Sequence, residues 1–77
     1  MQQFLYYLLT NILPEGTVIT ITEAEEEGDV VRLKVEIPEE LRGIVIGKSG
    51  MNIKSIRNLV GIIARRENKR VEIDIVD

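Results

Sequence analysis

Two short runs of alternating apolar and polar residues restrict the fold of this 77-residue chain more than any other feature. The apolar positions of residues 30–37 and 70–76 are Val31, Leu33, Val35 and Ile37, then Val71, Ile73 and Ile75. Strict alternation is typical of a strand with one buried face. Residues 38–69 separate the two strands, and so long a connection predicts that the strands run parallel if they are neighbours.

A third strand is predicted over residues 17–22, where every side chain is β-branched. Residues 23–29 follow as an acidic turn that contains Gly28. Because this connection is short, residues 17–22 and 30–37 are expected to form an antiparallel hairpin.

The other segments carry helical signals. In the first, apolar residues recur at helical spacing and end before Pro14-Glu15-Gly16: Phe4, Leu5, Leu8, Leu9 and Ile12. A second helix is predicted from Pro38 to just before Gly47, and a third from Met51 through Arg66, with Asn68 as its cap. The order α-β-β-α-α-β predicts an α+β fold, with a three-stranded mixed sheet and three helices on one face. All 77 residues are expected to form a single domain.

Composition argues against several classes of function. The chain has no cysteine and no histidine, which removes disulfides, the usual zinc sites and the commonest general base. No enzymatic activity, cofactor, metal or small-molecule substrate is therefore expected. The longest apolar-rich stretch, residues 4–13, is too short to span a bilayer and lacks signal-peptide features. A cytoplasmic protein without membrane contact is expected.

The net charge of −3 conceals an asymmetry between the two parts of the chain. Residues 1–40 carry nine acidic and two basic side chains, whereas residues 41–77 carry four acidic and eight basic ones. Such a split indicates a nucleic-acid or other anionic partner. It is equally compatible with two parts that complement each other within the fold.

The segment Gly47-Lys48-Ser49-Gly50 lies between the second and third predicted helices. It is not a nucleotide-binding P-loop, because only three residues separate Gly43 from Gly47-Lys48 and a helix precedes it. Two glycines allow a sharp turn, and the amide groups that open the next helix attract anions. The alternative is a simple corner in which glycine ends a helix and the lysine is solvated.

With this element order, the sequence Ile46-Gly47-Lys48-Ser49-Gly50-x-x-Ile53-x-x-Ile56-Arg57 resembles the KH domain of type II, the prokaryotic topology. The resemblance extends over essentially the whole chain, which looks like the small stand-alone bacterial KH proteins of the KhpA family. It implies a cytoplasmic protein that binds single-stranded RNA and acts as an RNA chaperone. It also implies a larger KH-containing partner (KhpB, also called Jag or EloR) and a role in peptidoglycan homeostasis and cell length.

The resemblance also implies which residues contact RNA. The Gly-x-x-Gly loop of KH domains clamps the backbone of four nucleotides, which assigns that contact to Gly47, Lys48, Ser49 and Gly50. Ile44, Ile46 and Ile53 would line the floor of a base-binding groove, and Arg42, Lys54 and Arg57 would contact phosphates. Each isoleucine is equally interpretable as core, and each cation as a solvated surface residue.

No aromatic residue follows Tyr7, so base stacking near the loop is excluded and weak, unselective RNA binding is expected. The competing hypothesis is a protein-interaction or dimerisation module that keeps the KH fold. It is favoured by the first helix, whose apolar residues outnumber what one sheet face can cover, and by the mid-helix Gly61. The partner would then be a second copy of the chain or a larger KH protein.

Overall fold

The predicted order of elements is confirmed in the computed structural model, which describes residues 1–25 and 28–76. The helices and strands, with two single turns of 3-10 helix, are α1 Gln2–Ile12, β1 Thr20–Glu25, β2 Val30–Glu36, a 3-10 turn Glu39–Leu41, α2 Arg42–Ile46, a 3-10 turn Lys48–Gly50, α3 Met51–Arg66 and β3 Arg70–Val76. None of the helices in these residues is long and apolar enough to cross a membrane.

The three strands form one mixed sheet in the order β1-β2-β3. β1 pairs with β2 in antiparallel fashion, with Ile21 opposite Val35. β2 pairs with β3 in parallel, with Leu33 opposite Ile73. Both orientations agree with the lengths of the connections in the sequence. β1 and β3 are consequently the two edge strands.

All three helices pack on one face of this sheet. The side chains with no exposed surface come from each helix and from the central strand: Leu5, Leu9, Leu33, Val35, Val45 and Val60. They belong to one apolar cluster that also contains Ile73 of β3. The opposite face of the sheet is polar and solvated, and there Arg32 Nη2 lies 2.8 Å from Glu72 Oε1. The result is a two-layer α+β fold.

The first strand begins three residues later than predicted. Thr17 remains in the turn after α1, because its Oγ1 and N–H both donate to the Pro14 carbonyl, at 2.6 and 3.2 Å. β1 then continues to Glu25, so residues 23–25 lie in the strand and not in the predicted acidic turn. Residues 26 and 27 of that turn lie outside the described residues.

The second helix is shorter than predicted. Its expected first turn is a separate 3-10 turn, in which the Leu41 N–H donates to the Pro38 carbonyl at 2.9 Å. Leu41 has φ −100° and ψ −5°, away from regular helical values, so α2 proper has five residues.

The end of α3 confirms the predicted cap. Asn68 has φ +60°, and the Lys69 N–H donates to the Ala64 carbonyl at 2.8 Å. The Asn68 N–H donates to the Arg65 carbonyl at 3.0 Å, which completes a Schellman motif.

Candidate nucleic-acid interface

The loop between α2 and α3 has an unusual backbone. Gly47, Ser49 and Gly50 have φ angles of +77°, +57° and +73°. Gly47 also has ψ 171°, a combination that is essentially restricted to glycine. These angles form a tight turn between α2 and α3, in which Lys48 and Ser49 are exposed.

Gly47 is required by space as well as by backbone conformation. Its N–H donates to the Gly43 carbonyl at 2.8 Å and so ends α2. A Cβ atom at position 47 would lie 2.7 Å from Cγ and 2.9 Å from the backbone nitrogen of Asn52. The first turn of α3 therefore packs directly against the backbone of the loop.

The Asn52 side chain links α2 and α3 by a hydrogen bond. Its Nδ2 donates to the Ile44 carbonyl at 2.7 Å, which joins the first turn of α3 to the last turn of α2. This residue was not predicted from the sequence. The available signal was an asparagine in a first helical turn, where its side chain readily bonds to backbone groups.

The start of α3 follows the loop directly, and its first N–H group, that of Met51, donates to the Lys48 carbonyl. Gly50 is the N-terminal cap residue, and among the residues that the structure describes no side chain caps this end of the helix. Within the loop, the Gly50 N–H donates to the Gly47 carbonyl at 3.1 Å, which stabilises the turn. The first N–H groups of a helix carry a partial positive charge and bind anions. The exposed Lys48 adds a full positive charge beside them.

The structure separates the three isoleucines that were expected to form a groove floor. Ile53 is only 8% exposed and belongs to the core cluster. Ile44 and Ile46 are 40% and 39% exposed, but they lie about 160° apart around α2. The buried Val45 lies between them. They therefore flank α2 on opposite sides.

The three predicted phosphate ligands also differ in their surroundings. Arg42 is half-buried at the start of α2, and Lys54 is exposed on α3, one turn after the loop. Arg57 Nη2 donates to the Ile73 carbonyl on the edge strand β3 at 3.0 Å. This bond holds the Arg57 guanidinium between α3 and β3.

Other concave surfaces of the described residues differ in their chemistry. A cleft of about 360 Å³ beside Arg57 is also lined by the charged side chains of Arg32, Glu72 and Asp74. A groove of about 610 Å³ between α1 and β1 is lined by Gln2, Gln3, Tyr6, Ile19, Thr20 and Ile21. This lining has no carboxylate or amine. Within residues 1–25 and 28–76, no three Asp or Glu side chains are grouped to hold a metal ion.

Comparison with known proteins identifies the class of fold that carries this loop. The family model described as "KhpA/KhpB, KH domain" matches residues 2–75. A protein of Chlamydia pneumoniae, named RNA-binding protein KhpA, is 33% identical over all of this chain and 97% of its own length.

Two relatives from other bacteria carry the same name. The Clostridium acetobutylicum protein is 30% identical over 99% of this chain and over its own full length. The Listeria monocytogenes serovar 1/2a protein is 34% identical over 83% of this chain and 80% of its own length.

Proposed function

Because the chain belongs to the KhpA/KhpB KH-domain family, we propose that it binds single-stranded RNA with its Gly47–Gly50 loop. The observation that carries this proposal is the exposed Lys48-Ser49 pair directly before the start of α3. The relatives named as RNA-binding proteins support the same conclusion. Residues 1–77 would act as one KH domain.

The loop would hold the sugar–phosphate backbone without reading its sequence. A phosphate placed over the loop faces the partial positive charge of α3 and the ammonium group of Lys48. The Ser49 hydroxyl can donate a further hydrogen bond to a phosphate oxygen. Gly47 and Gly50 have no side chains, so the RNA backbone can approach the main chain closely.

Bases beside the loop would contact aliphatic surface. Ile44 and Ile46 supply exposed area on either flank of α2, and Ile53 supports the start of α3 from the core. Arg42, Lys54 and Arg57 would contribute phosphate contacts around the loop. Since no aromatic residue follows Tyr7, binding is expected to be weak and to show little base preference.

A titration followed by two-dimensional NMR tests this proposal. Unlabelled tetra-uridylate is added to ¹⁵N-labelled protein, and the perturbed amides are expected to centre on residues 42–57. Perturbations confined to α1 and β1, or an unchanged spectrum at millimolar RNA, would contradict it.

The family resemblance supports finer proposals about cellular role. The protein would act in the cytoplasm as an RNA chaperone, together with a larger KH-containing protein of the KhpB type. Its effects would extend to peptidoglycan homeostasis and cell length. Co-purification of such a partner and of crosslinked RNA from the native cell tests both proposals.

A second candidate function, self-association or partner binding, is favoured by exposed apolar side chains. Tyr6 and Tyr7 of α1 are exposed, while Leu5 and Leu9 of the same helix are buried.

On α3, Met51, Leu59 and Ile62 are exposed and lie within one sector of about 80°. We name these three residues the apolar row of α3. The row would bury apolar surface against a second copy or another KH domain.

A further inference from the structure

A second row of residues on α3 leads away from the loop. Lys54, Gly61 and Arg65 lie within about 40° of one another around the helix, and Arg57 lies at the edge of the same sector. All three cations of this row are exposed. We name these four residues the cationic row. The apolar row lies to the other side of Lys54 and Arg65, so the two rows face different directions.

The charge of α3 is exclusively positive. Its sixteen residues, Met51–Arg66, include Lys54, Arg57, Arg65 and Arg66 but no aspartate or glutamate. Exposed helices gain stability from pairs of opposite charge three or four residues apart. Since α3 has no such pair, its cations are unneutralised within the helix, which suits a polyanionic ligand.

Packing among the described residues does not explain Gly61. It lies in the interior of α3, where glycine is unfavourable for a helix. A Cβ atom at this position would have no neighbour within 4 Å in residues 1–25 and 28–76, and the φ angle is ordinary. A ligand that lies close to the helix backbone at this point would account for a residue without a side chain.

We propose that the cationic row extends the RNA site, so that the sugar–phosphate backbone leaves the loop, passes over Gly61 and reaches Arg65. This inference rests on the proposed function of the loop. An RNA strand fits better than a protein partner, because the row begins one turn after the loop and contains cations without apolar side chains. Arg57, already held by the Ile73 carbonyl, keeps further guanidinium donors for phosphate.

The geometry sets the length of RNA that this row requires. From Gly50 to Arg65 the helix rises about 22 Å. A strand stacked with the duplex rise of about 3.4 Å needs about six nucleotides to cover that distance. Added to the four nucleotides held by a Gly-x-x-Gly loop, this gives a full site of about ten nucleotides.

The test compares two adjacent arginines on RNAs of two lengths. Affinities of full-length wild type, Arg65→Glu and Arg66→Glu are measured by fluorescence anisotropy with labelled tetra- and deca-uridylate. Both arginines are exposed in the last turn of α3, but Arg66 lies about 100° away from Arg65. The two variants have the same charge, and both substitutions lie in the last turn of the helix.

We expect R65E to weaken decamer binding several-fold and to leave tetramer binding unchanged, while R66E leaves both affinities unchanged. A longer RNA also gains affinity from its larger number of binding registers, so the salt dependence is measured as well. Registers do not alter the log–log slope, whereas each added phosphate contact steepens it by about 0.7. The wild-type slope should therefore be steeper for the decamer, and R65E should lose about 0.7 of it.

Equal effects of R65E and R66E, or equal salt slopes for the two RNAs, would contradict the proposal that the cationic row extends the RNA site. Either result would leave the proposed function of the loop intact. If neither RNA binds the wild type, the proposed function and the row both fail. Gly61→Ala gives a second readout, since it should weaken only decamer binding. An unchanged decamer affinity with an altered oligomeric state would assign Gly61 to a protein interface and overturn its place in the row.

Discussion

At the scale of single residues, the loop depends on two glycines for different reasons. Gly47 has a backbone conformation that other residues rarely adopt, and Asn52 fills the space where its Cβ would lie. Gly50 has left-handed helical angles with open space around it. Gly43 of α2, four residues before Gly47, has neither constraint from the described residues.

Alanine substitutions at Gly47, Gly50 and Gly43 should therefore change the free energy of unfolding by different amounts, with the largest loss at Gly47 and no loss at Gly43. Gly50→Ala is expected to cost about 1–2 kcal/mol of unfolding free energy, from the left-handed conformation alone. Gly47→Ala adds the displacement of Asn52, about 1–3 kcal/mol, to a backbone strain of about 1–3 kcal/mol. Gly43→Ala, as the control, should be neutral or stabilising by up to about 1 kcal/mol. Urea unfolding measures all three, and similar costs for G47A and G43A would contradict the packing of Asn52 against the loop.

At the scale of helices and strands, the sequence predicts the limits of an element best where one face of that element is buried. β2 and β3 were predicted nearly to the residue, because Val31, Leu33 and Ile73 must all face the core. β1 was placed three residues too early. Its limits depend on pairing with β2 and on the bond of Thr17 to Pro14, which composition does not reveal.

The candidate site also contains features that the sequence predicted and features that it did not. Glycine and lysine at the loop were identifiable from their spacing, and the backbone agrees with the need for glycine at positions 47 and 50. The sequence did not reveal that Asn52 bonds to the Ile44 carbonyl, since that contact joins two helices. The placement of Ile44 and Ile46 on opposite flanks of α2 already followed from the predicted helix, because residues two positions apart lie about 160° from each other around a helix.

The middle of α3 offers a prediction about helix stability. Gly61→Ala should raise the free energy of unfolding by about 0.5–1 kcal/mol, because alanine is the better helix former and its Cβ would contact none of the described residues. The measurement is urea unfolding at low micromolar concentration, with far-UV circular dichroism as the readout. A loss of stability would show that Gly61 is needed inside the chain, and would remove the argument that a ligand approaches it.

At the scale of the whole molecule, charge and apolar surface are distributed unequally. The part of the chain before α2 is acidic, whereas α2, the loop and α3 contain cations and no acidic residue. RNA should therefore approach from the side of the loop and α3. The apolar row on α3 lies beside this surface, so one helix would serve both RNA and a protein partner.

Sedimentation velocity tests the protein side of this arrangement. The wild type is expected to self-associate at high micromolar concentration, and Ile62→Glu should shift it toward monomer, since a carboxylate would interrupt the apolar row. Val18→Glu is the control, because Val18 is exposed outside the helices. A wild type that stays monomeric at this concentration, or the same response to both variants, would exclude the row as a self-association surface.

The central claim, that the loop is the RNA clamp, is tested by reversing its charge. Lys48→Asp and Ser49→Asp are introduced together, and aspartate is one of the residues that tolerates the left-handed conformation of position 49. The fold should persist, since both side chains are exposed in a turn. The control, Gln3→Asp with Lys34→Asp, changes the net charge equally at exposed positions of α1 and β2.

The decisive measurement is the affinity of these two double variants and the wild type for labelled tetra-uridylate at low salt. We expect the loop variant to lose detectable binding, because two carboxylates would face the phosphates at the start of α3. The control should bind like the wild type, with circular dichroism showing both variants folded. A folded loop variant that binds RNA as well as the wild type would contradict the claim and leave partner binding as the function of this KH domain.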